Sequence, residues 1–497
     1  MKDQISESPL TKLSNATLAE LPSHVSRPSY DRSKLRPGIV HIGLGNFHRA
    51  HQAWYLHRLM EQGLAHDWAI IGAGVRPGDA AMREKLLAQD CLTTLIELDP
   101  SGTSVEIIGS MIDFLPVEET NAALIDAMAD PAIRIVSLTI TEGGYYLDGQ
   151  GGFDADHPDI QHDAAHPDAP KTAFGAMVAA LGRRRLAGEL PFTGQCCDNL
   201  QGNGAVLRQT ILGLAQLIDA ELADWIADQM TFPDAMVDCI VPATGAAERE
   251  KSRQLGIDDA APVTHENFRQ WVIEDKFCAG RPPWEKAGVT ITDTVHNYEA
   301  MKIRILNGGH QILANIGELL GAPTIAACMQ DSDIKSFFDS VQRQEIAPHV
   351  LAVPGMTPDA YLELITDRFA NPLIHDTTRR VAFDGSSRHP GFVLPVVRDA
   401  LAANGPIDGL ALAEALWARM CHGTREDGSL IEPNDPHWEQ LNLAARKAKD
   451  EPLAWLQQTQ FYGDLADDDR FAGAFADWLT LLWSKGARAA VHVYLDG

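Results

Sequence analysis

Short apolar runs alternate with helical patterns over the N-terminal part of the chain. The runs are rich in β-branched residues, as strands of a buried sheet are. They are GIVHIGLG (38–45), AIIGAGV (69–75), LTTLIEL, VEIIGSM, IRIVSLTI, FTGQCCDNL and AMVDCIVPA. Helical periodicity fills the intervals, as in NFHRAHQAWYLHRLMEQG and NGAVLRQTILGLAQLI. The alternation predicts an α/β fold, with a doubly wound, mostly parallel sheet and helices on both of its faces.

The pattern changes beyond about residue 297, where strand signals nearly vanish. Segments such as IKSFFDSVQRQEI, PDAYLELITDRFA and DRFAGAFADWLTLLWSKGA keep a helical period. The turn-rich segment CAGRPPWEKAGV precedes the change. We therefore expect a polar, loosely ordered N-terminal arm over residues 1–36, an α/β domain over 37–288 and a mostly α-helical domain over 289–497.

Composition narrows the classes of function. The 497-residue chain has 41 Lys and Arg against 68 Asp and Glu, and its formal net charge of −27 argues against nucleic acid or an anionic membrane as a partner. The sequence shows neither an apolar run near the ~20 residues that span a bilayer nor a signal-peptide core, so we expect a cytoplasmic protein. Its seven cysteines include no C-x-x-C pair, which gives no indication of a disulfide framework or a zinc finger.

The segment HIGLGNFHRAH follows the first predicted strand and opens a helix. Gly43 and Gly45 fit the first two positions of a G-x-G-x-x-G turn, where missing side chains let backbone N–H groups approach a pyrophosphate. His48 stands at the third position, so the fingerprint is incomplete and an ordinary strand–helix turn is the alternative. After the second strand, Asp79 suits the ribose hydroxyls of NAD, whereas Arg76 suits the 2′-phosphate of NADP. We expect a Rossmann-type domain that binds NAD, with NADP as the alternative.

The segment KIRILNGGH, residues 302–310, places a cation, an amide, an imidazole and two glycines in a helical stretch. On an α-helix, Lys302, Asn307 and His310 fall within one arc of the surface. A lysine kept from water loses its preference for the charged form, so its pKa falls and it can take a proton from a substrate hydroxyl. The amide can donate to the alkoxide that forms. Gly308 and Gly309 would leave room for a ligand, although each residue taken singly also suits an ordinary helix core.

KIRILNGGH resembles the Lys-x4-Asn-x2-His signature of the polyol-specific long-chain dehydrogenases. Other stretches are similar to the same family, in family order over roughly residues 38–395: GLGNFHRAHQ, SLTITEGGYY, CDNLQGNG, QWVIEDKF and DTTRRVAFDGSSRHPGF. The departure at His48 is itself typical of that family. The resemblance implies a Rossmann-type domain, a helical C-terminal domain and metal-free use of NAD or NADP. It also implies interconversion of a polyol and a ketose, with D-mannitol and D-fructose as the first expected pair.

The resemblance implies a catalytic role for five residues. Lys302 would be the general base, and Asn199 and Asn307 would stabilise the oxyanion. His310 would position the reactive carbonyl or alcohol. Glu299 resembles the acid that passes the released proton to solvent, and a solvated carboxylate near a helix start is its alternative interpretation.

The same resemblance implies the contacts to substrate and cofactor. Arg380 and Arg388 match basic substrate-binding positions, although position 388 is more usually lysine in mannitol dehydrogenases. MVDCIVPAT also carries Cys239 and Val241 where MVDRITP is more familiar. The expected cofactor-binding residues are Gly43, Gly45, Asn46, Phe47, His48, Asp79, Glu142 and Gly143.

The exact substrate stays open at this point. Sorbitol and arabinitol differ from mannitol only in hydroxyl configuration or chain length. Uronates such as fructuronate belong to related enzymes, and two arginines can pair with a carboxylate. We expect a small-molecule substrate and a monomer or a weak homo-oligomer.

Three other functions compete with this interpretation. YEAMK spells the Tyr-x-x-x-Lys pair of short-chain dehydrogenases, which would make Tyr298 the acid–base, but it lies outside the strand-rich half of the chain. A zinc dehydrogenase would need ligands from HRAH or HPDIQHDAAHPD, and the second of these predicts a surface loop. No cysteine-rich cage accompanies either, so we expect no metal. A dinucleotide-binding sensor without catalysis is the third alternative.

Overall fold

A computed structural model of the chain describes residues 10–148 and 151–497. The chain divides into two compact units, Met1–His296 and Asn297–Gly497. The division falls shortly after the domain boundary that the sequence predicts at residues 288/289, and the predicted domain limits themselves stay predictions.

The strands of the first unit, labelled in chain order, are β1 (Thr11–Lys12), β2 (Pro37–Ile42), β3 (Ala69–Ala73), β4 (Thr93–Asp99), β5 (Gly102–Ile108), β6 (Met111–Phe114), β7 (Ile135–Leu138), β8 (Thr193–Cys196), β9 (Ala235–Asp238), β10 (Ile257–Asp258), β11 (Val263–Glu266), β12 (Gln270–Ile273) and β13 (Thr290–Ile291). Five of them form a parallel sheet in the order β6-β3-β2-β7-β8. From β2 the chain runs outward through β3 to β6, and then returns to the other side of β2 with β7 and β8. This reversal creates a switch point at the carboxyl ends of β2 and β7, where open α/β sheets bind their ligands.

Helices cover both faces of this sheet. They are α1 (Asn46–Ala50), α2 (Gln52–Glu61), α3 (Asp79–Leu87), α4 (Ala122–Ala129), α5 (Pro158–Ala165), α6 (Ala173–Ala187), α7 (Asn203–Ile218), α8 (Ala220–Gln229) and α9 (Ala246–Gln254). Ile39 belongs to a buried apolar cluster with Leu56 of α2, whereas its neighbour Val40 belongs to another with residues of α4, α6 and α7. Successive side chains of a strand point to opposite faces, so each face of the sheet has its own core. The predicted doubly wound fold is confirmed.

Two groups of strands lie outside the parallel sheet. β4 and β5 are connected only by Pro100 and Ser101 and pair antiparallel with each other, and β11 pairs in parallel with β4. β9 pairs antiparallel with β12, which also pairs with β13. A two-residue connection permits only an antiparallel pair, and an apolar run does not specify the sheet that it enters. The central sheet is therefore parallel throughout, whereas each of these two smaller sheets contains one parallel and one antiparallel pair.

Residues 10–36 pack against the rest of the first unit. β1 pairs in parallel with β10, and Leu13, Leu21 and Val25 belong to a buried apolar cluster. Arg32 donates hydrogen bonds to three backbone carbonyl oxygens. The expectation of a loosely ordered arm is therefore wrong for these residues, because three scattered apolar side chains and one arginine provide the contacts that the polar composition conceals.

The second unit is helical. α10 (Val295–Met301) continues into a π-helix, Lys302–Asn307, and then into α11 (Gly308–Leu320). The remaining α-helices are α12 (Ile325–Gln330), α13 (Ser332–Val341), α14 (Pro358–Phe369), α15 (Thr378–Val381), α16 (Gly385–Arg388), α17 (Leu394–Ala402), α18 (Asp408–Cys421), α19 (Trp438–Ala448), α20 (Thr459–Tyr462), α21 (Asp469–Lys485) and α22 (Ala487–Asp496), with further π-helices at Gln342–Ile346 and His389–Val393. α18 is buried from its second residue to its last and packs against α11 and α21. None of the described helices has the length and apolarity needed to cross a membrane.

Candidate active site

The predicted catalytic segment departs from α-helical geometry. Lys302–Asn307 forms a π-helix, in which the amide of Gly308 donates to the carbonyl oxygen of Ile303, five residues back. Lys302 and Asn307 are buried, with 7 and 8 % of their surface exposed. The common arc was derived from α-helical spacing, and the π-helix changes the angles between the three residues because it has more residues in each turn. That Lys302, Asn307 and His310 share one site stays a prediction. Single π-helical turns within α-helices are frequent at functional sites.

The two glycines of the segment have different surroundings. A Cβ on Gly309 would collide with the amide of Gln342 and the ring of Phe338. A Cβ on Gly308 would make ordinary contact with the carbonyl oxygen of Phe392, 3.4 Å away. The interpretation that both glycines leave room for a ligand is wrong for Gly309, because neighbouring side chains of the same unit fill that space.

His310 presents an unsatisfied ring nitrogen inside the second unit. Its ring stacks on Phe369 with centroids 4.1 Å apart. Nε2 is buried and makes no hydrogen bond to a described residue, and Oδ2 of Asp376 lies 3.9 Å from it. Burial lowers the pKa of His310 to about 4, and Asp376 opposes this effect. The ring is therefore neutral at physiological pH and has one donor and one acceptor for a ligand oxygen.

Both predicted substrate-binding arginines line one groove. The groove has a volume of about 420 Å³, and its walls are Thr377, Arg379, Arg380, Phe383, Arg388, Pro433 and Asn434. Nε and Nη2 of Arg380 each donate to a carboxylate oxygen of Asp376 at 2.7 Å. Nη1 of Arg388 donates to the carbonyl oxygen of Val381 at 2.7 Å. Three guanidinium groups in one groove favour an oxygen-rich ligand.

Glu299 and Tyr298 are both buried, each with 5 % of its surface exposed. The alternative interpretation of Glu299 as a solvated carboxylate is therefore wrong. Burial raises the pKa of Tyr298, which makes its phenolate harder to form. The short-chain mechanism, which needs Tyr298 as the acid–base, loses support.

The glycine turn of the first unit follows β2 as predicted. Gly43 has a φ of +95°, and a Cβ on it would collide with the carbonyl oxygen of Thr139. A Cβ on Gly45 or on Gly143 would meet no described atom within 4 Å outside its chain neighbours. These two glycines follow β2 and β7, whose last residues are partners in register. Open backbone at the switch point fits the phosphates of a dinucleotide.

The side chains that follow this turn are engaged within the first unit. Nδ2 of Asn46 donates to the carbonyl oxygen of Pro242 at 2.8 Å and to the hydroxyl of Thr244 at 2.9 Å. The ring of Phe47 stacks on His51 with centroids 4.8 Å apart. A cofactor contact of Asn46 would therefore come from its backbone, since its amide group already has protein partners.

His48 explains how the turn works without a third glycine. Its ring is 1 % exposed and stacks on His41 with centroids 3.4 Å apart. Burial lowers the pKa of His41 to about 3 and that of His48 well below its ordinary value, so both rings are neutral. The prediction that His48 binds the cofactor is thus limited to its backbone, because the side chain packs beneath the turn and joins helix to strand.

Asp79 has a structural contact of its own. It is the first residue of α3, and its Oδ2 accepts a hydrogen bond from the backbone N–H of Arg76 at 2.9 Å. The carboxylate therefore closes the turn after β3, next to the position where the sequence predicts the ribose of NAD. Its role in choosing between NAD and NADP stays a prediction.

Glu142 and Gly143 open a short 3₁₀-helix, Glu142–Tyr145, after β7. The side chain of Glu142 lies outside the part of the chain that the structure describes, so its predicted contact stays a prediction. The preceding residue, Thr141, has a φ of +68°, a conformation that is costly for a residue with a branched side chain. The backbone around Gly143 is thus held in an unusual shape.

Asp198 supports this shape, and the sequence interpretation gave it no role. Its carboxylate accepts the backbone N–H groups of Ile140 and Thr141 at 2.9 and 3.0 Å and the hydroxyl of Tyr145 at 2.6 Å. Because Asp198 directly precedes Asn199, it connects the predicted oxyanion residue to the turn with Gly143. The sequence did contain a signal for Asp198, because it is an acid next to a predicted site residue at the end of a predicted strand.

The histidine-rich segment 157–168 lies mostly at the surface, as the sequence predicts, but it is largely helical and not a loop. It contains α5, and the rings of His162 and His166 stack with centroids 4.6 Å apart. Within residues 10–148 and 151–497, no group of three or more His, Cys, Asp or Glu side chains is arranged to hold a metal ion.

Comparison with known proteins covers nearly the whole chain. Residues 37–286 match the Rossmann domain of mannitol dehydrogenases, and residues 294–483 match the mannitol dehydrogenase C-terminal domain. The chain is 57 % identical over 471 residues to the mannitol 2-dehydrogenase of Cereibacter sphaeroides, a match that covers 95 % of this chain and 99 % of that one.

Two solved structures share the complete architecture. The Pseudomonas fluorescens mannitol 2-dehydrogenase, in a ternary complex with NAD and D-mannitol, aligns with a TM-score of 0.88 and 42 % identity, over 98 % of this chain and 100 % of that one. A D-sorbitol dehydrogenase in substrate-free form aligns with a TM-score of 0.89 and 36 % identity, over 96 % of this chain and 100 % of that one. The resemblance inferred from KIRILNGGH is confirmed, and the chain belongs to the mannitol dehydrogenase family.

Proposed function

We propose that this protein is an NAD-dependent oxidoreductase that interconverts a polyol and a ketose, with D-mannitol and D-fructose as its pair. The observation that carries the proposal is the buried π-helical turn from Lys302 to Asn307, which leads into a neutral His310. The chain is 57 % identical to a mannitol 2-dehydrogenase, which supports D-mannitol and D-fructose as the substrate pair.

Oxidation of a secondary alcohol removes a hydride from carbon and a proton from oxygen. NAD supplies the hydride acceptor when it is bound. The uncharged amine of Lys302 takes the hydroxyl proton. The amides of Asn199 and Asn307 donate to the oxygen as negative charge develops on it. In the reverse direction Lys302 returns the proton to the alkoxide.

The remaining residues bind the substrate and conduct the proton. His310 contacts the reacting oxygen or the neighbouring hydroxyl with its neutral ring. Arg380 and Arg388 donate to further hydroxyl groups in the groove that they share. Glu299 lies one helical turn before Lys302 and passes the proton onward. Because the guanidinium groups of these arginines can pair with a carboxylate, a carboxylated polyol or ketose is the second candidate substrate.

The first unit supplies the cofactor site. Gly43 has the positive φ that the tight turn needs, and the backbone at Gly45 and Gly143 has the open space that a pyrophosphate needs. Asp79 favours the free ribose hydroxyls of NAD over a 2′-phosphate. NADP is the alternative cofactor.

A substrate screen tests this proposal. The purified protein is mixed with NAD or NADP and with D-mannitol, D-sorbitol or D-arabinitol, and the absorbance of the reduced nicotinamide is followed. D-Fructose and a ketouronate are tested in the reverse direction, before and after treatment with a strong chelator. We expect fastest turnover with D-mannitol and NAD and no effect of the chelator. Absence of turnover with every pair contradicts the proposal, and cofactor binding without turnover would favour a sensor.

We also propose that the protein acts in the cytoplasm as a monomer or a weak homo-oligomer. The net charge of −27 supports a protein that associates with neither nucleic acid nor anionic lipid. Sedimentation of the purified protein over a range of concentrations measures its oligomeric state.

A further inference from the structure

We propose that Asp376 is a positioning residue that sets the orientation of both His310 and Arg380, and thereby determines how the polyol is held. The inference rests on the proposed function, because it assumes that these two residues bind the substrate. It assigns a role to an acid of the DTTRRVAFDG segment that the catalytic assignments leave without one.

The contact with Arg380 is bidentate. The guanidinium side chain is 61 % exposed, whereas the carboxylate of Asp376 is 7 % exposed. Nε and Nη2 each donate to one carboxylate oxygen at 2.7 Å. A long, exposed side chain loses its rotamer freedom in such a fork. Asp376 therefore fixes the direction in which the remaining guanidinium nitrogen, Nη1, faces.

The contact with His310 is electrostatic. Oδ2 of Asp376 lies 3.9 Å from Nε2, which is too long for a hydrogen bond. A negative charge at this distance favours the tautomer with its proton on Nε2. Nδ1 is then the nitrogen left to accept a hydrogen bond from a substrate hydroxyl. The stacking of the ring on Phe369 restricts the tilt of the imidazole plane.

The backbone of Asp376 has a separate, structural role. Its N–H donates to the carbonyl oxygen of Ile374, and its own carbonyl oxygen accepts from the N–H of Ile325, both at 2.9 Å. An Asp376→Asn substitution preserves these bonds and the side-chain volume. It removes the charge and replaces one acceptor oxygen with an NH₂ group that faces an N–H donor of Arg380, so its effect reports the role of the carboxylate.

The second unit offers a matched control in Asp333. Its Oδ2 contacts Nη1 of Arg488 at 2.6 Å and Nε2 of His492 at 3.1 Å. This carboxylate also faces one arginine and one histidine, but neither of them belongs to the proposed site. Asp333→Asn should leave the kinetic constants unchanged.

The test compares steady-state oxidation of D-mannitol by the wild type, Asp376→Asn and Asp333→Asn. For Asp376→Asn we expect KM for D-mannitol to rise about tenfold or more, the scale of one charge-assisted contact, with a fall in kcat. The dissociation constant of NADH and the melting temperature should stay close to those of the wild type. A purely structural role would move the melting temperature and leave KM unchanged.

A double-mutant cycle tests whether Asp376 acts through Arg380. In an Arg380→Gln background, Asp376→Asn should change kcat/KM by clearly less than it does alone. If the two effects multiply, Asp376 does not act through Arg380 and the inference is overturned. KM and kcat within twofold of the wild type in Asp376→Asn also overturn it.

The test distinguishes failure of this inference from failure of the proposed function. A wild type that oxidises no polyol contradicts the proposed function itself. If Asp376→Asn does not fold, Asp376→Glu replaces it and moves the charge by one methylene group. An unchanged KM for D-mannitol in that variant contradicts the inference.

Discussion

Nε2 of Gln342 donates a 2.8 Å hydrogen bond to the carbonyl oxygen of Ile305, inside the π-helical turn from Lys302 to Asn307. Gln342 is fully buried and begins a π-helix of its own. A Cβ on Gly309 would occupy the place of this amide. The widened turn is therefore held by a side chain from another helix, and the glycine makes that approach possible.

Removing this hydrogen bond should disturb the catalytic segment. Gln342→Met keeps an unbranched side chain of similar length but leaves the carbonyl oxygen of Ile305 without this donor. We expect a loss of about 1–3 kcal/mol in the free energy of unfolding and a fall in kcat, with NADH affinity unchanged. Denaturant unfolding and steady-state kinetics measure the two effects, with Gln440→Met as the control. A stability loss with normal kcat would show that the bond does not set the site.

Alanine substitutions should separate the two glycines. The methyl group of Gly308→Ala makes only ordinary contacts, and alanine has the higher helix propensity. The free energy of unfolding of this variant should therefore equal that of the wild type or exceed it by up to ~1 kcal/mol. The free energy of unfolding of Gly309→Ala should be lower than that of the wild type by about 1–3 kcal/mol, because the new methyl group collides with Gln342 and Phe338. Urea unfolding of both variants gives the comparison. Equal effects at the two positions would contradict the packing described for Gly309.

The buried imidazole of His310 should make the fold sensitive to acid. Its pKa is lowered to about 4 from 6.5, so between these values the unfolded chain binds a proton that the folded protein does not. Stability should therefore fall as pH drops from 6.5 to 4, by roughly 3 kcal/mol at most from this ring, and level off below pH 4.

A His310→Asn variant isolates this contribution. Its loss of unfolding free energy between pH 7 and pH 4 should be smaller than that of the wild type, measured by urea unfolding at each pH. His492→Asn changes an exposed ring and serves as the control. An unaltered pH dependence in His310→Asn would show that the ring is protonated equally in both states.

Asp198 should control the turn that carries Gly143. In Asp198→Asn, one carboxylate oxygen becomes an NH₂ group that faces a backbone or hydroxyl donor, and a charged acceptor is lost. Because hydrogen bonds to charged groups contribute about 1.5–3 kcal/mol, we expect NADH to bind about tenfold more weakly or worse. Fluorescence titration with NADH measures this. Tyr145→Phe removes one of the donors and should have the smaller effect; the reverse order would contradict the assignment.

Sequence patterns were sufficient for the elements that depend on local chemistry. The run before Gly43 predicts β2 and its turn, and the loss of strand signals predicts the helical second unit. Asn307 and His310 could be selected because a polar residue among apolar ones is a local signal.

Other features depend on residues that are distant in sequence. The π-helical turn needs Gln342, and the environment of His310 needs Asp376, so neither follows from the spacing within KIRILNGGH. The ordered residues 10–36 depend on apolar side chains too scattered to form a periodic pattern.

The proton acceptor is the central claim, and the comparison of Lys302→Ala with Tyr298→Phe tests it most directly. The account predicts that Lys302→Ala lowers kcat for D-mannitol oxidation by at least ~10²-fold, the low end for general acid–base catalysis. NADH binding should survive in this variant, because the glycine turn lies in the other unit. Tyr298→Phe should retain most of the activity, since the buried phenol has no assigned step. A Tyr298→Phe variant without turnover beside a mildly affected Lys302→Ala variant would contradict the account.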